Sequence, residues 1–152
     1  MEMNIQDEVL LALTVWRENR GGGVSGMQSV ANAICNRARK RGESVYQICT
    51  APKQFSSISV QADPESALWP GEEDPQWQIA LNFASLASVG ELEDITHGAT
   101  IYYAPAGLAE SETKKGKLLV ANGTTYKFPD SWNLSAVEYT GTIAHQVFML
   151  EV

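Results

Sequence analysis

The sequence predicts an α+β fold, with helices filling the first half of the chain and a small antiparallel sheet in the second. Three observations predict it. Up to about residue 90, apolar residues recur at helical intervals, and each run is bounded by capping residues, proline or glycine. Beyond residue 98, short β-branched and aromatic runs take over. Between two of those runs stands Asn122-Gly123, a strong hairpin turn.

The elements follow in order. Val9 to Trp16 reads VLLALTVW, apolar on every side, which places the first helix inside a core. Ser25-Gly26-Met27-Gln28 has capping-box spacing and predicts the start of a second helix. Its stripe is Met27, Val30, Ala31, Ile34 and Ala38, and Gly42 ends it. Ser44-Val45-Tyr46-Gln47 repeats the spacing and predicts a short helix to about Thr50, stopped by Pro52. Residues 53 to 73 read as loop with short structure, including one turn capped by Asp63-Pro64 that carries Leu68 and Trp69. Asp74-Pro75 starts a further helix, with Trp77, Ala80, Leu81, Ala84 and Ala87 on one face and Gly90 at its end. Ala99 to Tyr103 predicts a strand. Leu118–Val120 and Thr124–Phe128 predict a hairpin. Val137 to Thr140 and Ala144 to Leu150 predict a second strand pair around Gly141, and Pro105 to Lys117 a surface loop. With no repeat and no dividing linker, residues 1–152 read as a single catalytic domain.

Composition narrows the function classes. Hydrophobic residues make up 44% and charged residues 19% of the 152, as in ordinary soluble globular proteins. A net charge of −7 argues against nucleic-acid binding and against electrostatic attraction to anionic surfaces. The basic cluster Arg37, Arg39, Lys40 and Arg41 ends a helix, where positive charge complements the dipole. No apolar run approaches the roughly 20 residues that span a bilayer, so membrane insertion is not expected. The first residues, MEMNIQDEVLL, carry acids where a secretory signal carries bases, so synthesis in the cytoplasm without a signal peptide is expected. Cys35 and Cys49 read as buried small hydrophobes rather than a disulfide. There is no CxxC and no HExxH, and His97 and His145 lie far apart in sequence, so neither a metal nor another cofactor is expected. A monomer is expected.

Glu18 is the leading candidate for chemistry. It falls in the last turn of the apolar helix, where the dipole is negative and burial disfavours charge. Both effects raise its pKa. Gly21, Gly22 and Gly23 follow and remove side-chain bulk, so a ligand could approach closely. A protonated carboxyl at an open loop is what a glycosidase uses to protonate a leaving oxygen. The plainer alternative is a helix-end Glu that reaches water.

The order of motifs resembles the SleB-like cell-wall hydrolases, the spore cortex-lytic enzyme type also found in bacteriophages. The resemblance rests on Glu18 in WRENRGGGVSGM, on SVANAICNRARKR with its terminal Asn36-Arg37, and on Gln54-Phe55-Ser56. HGATIYYAP, Pro129 to Trp132, and His145 to Phe148 complete it. These elements run in the family order over nearly the whole chain. Two features depart from the pattern. The usual Glu-Ala-Arg-Gly-Glu is here Glu18-Asn19-Arg20-Gly21-Gly22, without its second acid. The loop from Ala104 to Leu118 is longer than expected.

The resemblance implies a lysozyme-like fold related to lytic transglycosylases and goose-type lysozymes. It implies peptidoglycan glycan strands as substrate, cut between N-acetylmuramic acid and N-acetylglucosamine. Glu18 would be the catalytic acid, with Gln54, Ser56, Tyr102, Tyr103 and Asn36 binding substrate. Tyr102 and Tyr103 alternate across a strand, so only one can face a cleft, and Tyr102 is expected to be that one. Asn36, opposite its helix's apolar stripe, also suits a role in fixing a neighbouring loop. Phe55 is expected in the core, and His145 as a structural histidine on the last strand. The two-carboxylate route needs a second acid, for which Asp63, Asp94 and Glu138 stand open. A transglycosylase needs only Glu18. A hydrolytic muramidase, a non-catalytic glycan-binding or virion module, and a thiol peptidase using Cys35 remain as alternatives. Cys35 lies mid-helix on an apolar side, unlike an activated thiolate. The setting that suits these features is a phage-type lysis enzyme, held in the host cytoplasm until it reaches the bacterial wall.

Overall fold

The structure, a computed structural model, describes residues 1–52, 54–104, 117–121, 123–128 and 132–152, with backbone alone for Ser56 and Ser59. The expectations for Pro105 to Lys117, for Asn122 and for Pro129 therefore lie largely outside the described residues.

Helix α1 (Ile5–Asn19) is the axis of the helical half. Asn4 caps it, accepting from the Asp7 N–H while the Asp7 side chain takes the Asn4 N–H. Every residue from Leu11 to Arg17 is buried, as the apolar run predicts, whereas Val9 is exposed. α2 (Gly23–Arg41), α3 (Val45–Thr50) and α5 (Pro75–Ser88) all pack on α1. Asp7 and Asp74 lock this arrangement. Asp7 accepts from the Tyr46 N–H at 2.9 Å. Asp74 caps α5 and accepts from the Trp16 indole at 3.1 Å. α3 and α5 start at the predicted Ser44 and Asp74 caps, and α4 (Ser56–Ser59) is a short extra turn.

The start of α2 differs from expectation. The chain leaves α1 through a 3-10 turn, Arg20–Gly22, and re-enters helix at Gly23, ahead of the Ser25 spacing. Gly23 has φ +72°, which only glycine adopts freely, so the reversal happens there and no side chain caps it.

The second half holds a three-stranded sheet in the order β1 (Ile101–Tyr103), β5 (Gln146–Glu151), β4 (Val137–Ile143), and a separate hairpin, β2 (Lys117–Ala121) with β3 (Thr124–Phe128). Alternation along β5 buries both faces. Phe148 packs with Ala33 and Ala99 toward the helices, while Val147 and Met149 pack with Phe128 of the hairpin. The α+β class is the one the sequence predicts, helices first and small antiparallel sheets after.

The predicted pivot at Gly141 is wrong. Gly141 sits at a register shift inside β4, and the turn is the two residues Ala144 and His145. Both have positive φ, 49° and 64°, a strained choice for side chains that are not glycine. The tip is held because Ala144 packs against Gly26 of α2, and because Asn19 donates to Gln146 at 3.1 Å. His145 thus stands exposed in the turn rather than on the last strand.

Candidate active site

Glu18 sits half-buried in the last turn of α1, one residue past the buried run. α4 meets it there. The Ser57 hydroxyl donates to Glu18 Oε1 at 2.6 Å, and the Ser57 backbone N–H bonds the same carboxyl. Ser57 is 2% exposed, so water does not compete for these bonds. Burial is the largest influence on Glu18 and pushes its pKa up. The Ser57 hydrogen bonds pull the other way, while the like charges of Asp63 and Glu65 push up again. The net direction is upward, as burial at a helix end predicts. Glu65 is itself clamped by Arg20 through two bonds of 2.6 and 3.1 Å.

A cavity of about 360 Å³ opens beside Glu18. Arg37, Gln54, Phe55, Tyr102 and Trp132 line it, together with Ile101, Arg41 and Glu151. A second cavity, about 600 Å³, lies at the end of α2 among Met1, Glu2, Ala38, Arg39, Gly42, Glu43 and Ser44, with no aromatic wall. The first has the composition of a carbohydrate site: aromatic faces, a few convergent polar groups and one acid held toward its neutral form.

Arg37 organises the floor. It is 5% exposed, donates Nε–H to the Thr100 carbonyl at 2.7 Å, and donates Nη1–H to Gln54 Oε1 at 2.6 Å. Burial lowers its pKa from the usual arginine value. Sequence reading grouped Arg37 with the dipole-complementing cluster. That account suits Arg39, Lys40 and Arg41 in the last turn, but not this buried cation. With its oxygen taken by Arg37, Gln54 keeps its amide N–H groups as the donor capacity it brings to the cavity.

Strand alternation separates the two tyrosines. Tyr102 lines the cavity and packs on Phe148, ring centroids 5.7 Å apart. Burial pushes its hydroxyl pKa up, and the nearby Glu18 charge adds to the shift. Tyr103 faces the other way, 4.6 Å from the Phe128 ring, and donates its hydroxyl to the Lys127 carbonyl. It is therefore not brought to the cavity. Neither is Asn36, whose amide bonds Asp94 and the Ala99 carbonyl, each at 3.0 Å, and so fixes the loop before β1. The side chain of Ser56 lies outside the description, and the serine at Glu18 is its neighbour Ser57. Phe55, expected in the core, is 4% exposed yet presents an edge of the cavity.

In the glycine loop, Gly21 and Gly23 face open space, as the expected room for a ligand requires, whereas Gly22 does not. A Cβ at Gly22 would stand 2.4 Å from Asn19 Oδ1, and one at Gly26 would stand 2.8 Å from Asn19 Nδ2. Gly22 and Gly26 make room for the Asn19 side chain and the β4–β5 tip rather than for a ligand.

Among the candidate second acids, Asp94 is engaged by Thr96, Asn36 and the Gly98 N–H, and Glu138 is exposed on β4. Asp63 lies near enough to act on Glu18. Among the described residues, the carboxylate that shares the cavity is Glu151, which the sequence does not single out, and Arg41 holds it at 2.7 Å. Cys35 and Cys49 are buried free thiols that burial pushes up to about 11 and about 12, which disfavours a thiolate mechanism.

A cell wall hydrolase family model matches residues 21–149, a span that begins just past Glu18 and contains Arg37, Gln54, Ser57 and Tyr102. Two solved structures share the fold. The catalytic domain of the germination-specific lytic transglycosylase SleB from Bacillus anthracis is 20% identical, with a TM-score of 0.60 over 96% of this chain and 95% of that one. The catalytic domain of the Bacillus cereus SleB protein is 21% identical, with a TM-score of 0.62 over 97% of this chain and 93% of that one. No curated protein matches the chain in sequence.

Proposed function

The chain belongs to the cell wall hydrolase family, and from that premise we propose that it is a lytic transglycosylase of peptidoglycan with Glu18 as its catalytic acid. The bond cut joins N-acetylmuramic acid to N-acetylglucosamine. The observation that carries the reading is the Glu18 carboxyl, held toward its protonated form and bonded by Ser57 at the edge of an aromatic-walled cavity. A likeness of fold to a lytic transglycosylase supports it.

One carboxyl serves both proton transfers. Glu18 gives its proton to the glycosidic oxygen as the C1–O bond breaks and the N-acetylglucosamine end leaves as an alcohol. The carboxylate then takes the proton of the muramic acid 6-hydroxyl as O6 bonds to C1, closing a 1,6-anhydro ring and restoring the acid. Ser57 steadies the carboxylate between the steps. Tyr102, on the cavity wall, presents its ring and hydroxyl to the oxocarbenium charge, and Gln54 donates to sugar or acetamido groups.

Hydrolysis is the second reading, and Glu151 in the same cavity favours it. It would need the two carboxyls about 5 to 9.5 Å apart and the second free to act on water or sugar. Arg41 occupies that second carboxylate. Mass spectrometry of muropeptides released from purified peptidoglycan decides the matter. Anhydro ends from the wild type, and none from Glu18→Gln, are expected. Reducing ends would identify a hydrolase, and no release by either protein would leave a glycan-binding module.

A further inference from the structure

Trp69 is 72% exposed, an unusual place for the side chain with the most apolar surface to bury. It is nevertheless held in position. The Arg17 guanidinium lies under it, 4.7 Å from the ring centroid. Arg17 is 7% exposed and precedes Glu18 in α1. Its Nε–H donates to the carbonyl of Leu68, next to Trp69, at 3.0 Å, and its Nη1–H donates to the carbonyl of Ser57, also at 3.0 Å. One buried cation therefore ties the loop carrying Trp69 to the serine that bonds Glu18. The other end of the loop is tied down too, since Arg20 clamps Glu65 and stacks on Trp16 at 4.2 Å. Asp63 and Glu65 lie near enough to act on Glu18 through their charges, and no residue of segment 63–69 lines the cavity.

We propose that Trp69 is a sugar-stacking platform that extends the glycan groove beyond the cavity beside Glu18. This rests on the function proposed above. Arg17 covers one face of the indole and fixes its orientation, while the other face stays open to solvent. A pyranose has an apolar face of C–H groups carrying slight positive charge, which packs on the electron-rich face of an indole. Tyr102 and Trp132 on the cavity wall and Trp69 outside it would then supply the aromatic supports of one glycan strand.

The test uses peptide-free glycan strands of two, four and six sugars, titrated into Glu18→Gln and into Glu18→Gln carrying Trp69→Ala or Trp69→Tyr. Trp69 is exposed, so each variant should melt with its parent. Trp69→Ala should weaken binding of the four- and six-sugar strands by about tenfold and change the two-sugar strand less than twofold. Trp69→Tyr should keep most of the affinity. In the active protein, Trp69→Ala should raise KM on wall glycan far more than it lowers kcat. Equal weakening at every length, no weakening at any, or no binding by the Glu18→Gln parent overturns the proposal. Failure of the broader reading looks different: the wild type would leave intact peptidoglycan uncut, whatever Trp69 does to binding.

Discussion

Two carboxylates face one cavity, and their surroundings are opposite. Glu18 is met by a hydroxyl and an N–H from Ser57 and by two like charges, with burial dominating, so its pKa is raised. Glu151 is met by the Arg41 guanidinium at 2.7 Å, and Lys40 donates to its backbone carbonyl. Glu18 on α1 is therefore pushed toward its protonated form, while Glu151 on β5 is paired with a guanidinium. Environment, not residue type, assigns the roles.

The strongest way to break the comparison is Glu18→Gln. Cleavage of peptidoglycan should fall by about 10²–10⁴-fold, the usual contribution of a general acid, measured as turbidity loss with muropeptide analysis. The same variant carries a stability signature. The folded protein raises the Glu18 pKa, so it binds the proton more tightly than the unfolded chain does. That contribution is fully present below the ordinary carboxylate pKa and is lost as pH rises through the raised folded value. Glu18→Gln should therefore melt higher than wild type at neutral pH, with the gap closing as pH falls below about 4.3. Equal melting at both pH values would mean that the carboxyl is not desolvated and would remove the distinction between the two acids.

Ser57→Ala sharpens the same comparison with a smaller effect. The hydroxyl favours the charged form of Glu18, so its loss raises the pKa further. The alkaline limb of the kcat/KM profile should move to higher pH, and the rate should drop about tenfold, as for a lost hydrogen bond to a charged group. A limb that moves to lower pH would show that Ser57 bonds the protonated acid instead.

How legible these parts were depends on how local their causes are. The Glu18 shift was readable because an apolar run and a helix end are features of adjacent residues. That only one of Tyr102 and Tyr103 can face the cavity was readable because strand alternation has a fixed period, but the period does not say which one. Ser57, Arg37 and Glu151 were not. Ser57 meets Glu18 across 39 positions, and Arg41 meets Glu151 across 110. No periodicity encodes either contact. Arg37 sat inside a basic run whose other members do face outward, so composition hid the one that is buried. The Ala144-His145 turn escaped for a different reason. Turn chemistry favours glycine or asparagine at positive φ, and here packing against Gly26 and the Asn19–Gln146 bond override that preference.

The smallest expected effect falls on the other acid. The Arg41–Glu151 pair is partly open to solvent, with side chains 36% and 28% exposed, so it is worth roughly 0–1 kcal/mol. Glu151→Gln keeps an oxygen for Arg41 and removes only the charge. It should lower cleavage by less than about tenfold, shift the melting temperature by a few degrees at most, and leave the products with anhydro ends. If Glu151 were the second carboxylate of a hydrolase, the loss would rival that of Glu18→Gln, and the residual products would carry reducing ends. Both carboxyls face the same space, so the ratio of the two losses measures how unequal they are. A large ratio leaves proton transfer to Glu18 alone, and a ratio near one makes the Arg41 contact a resting arrangement that substrate displaces.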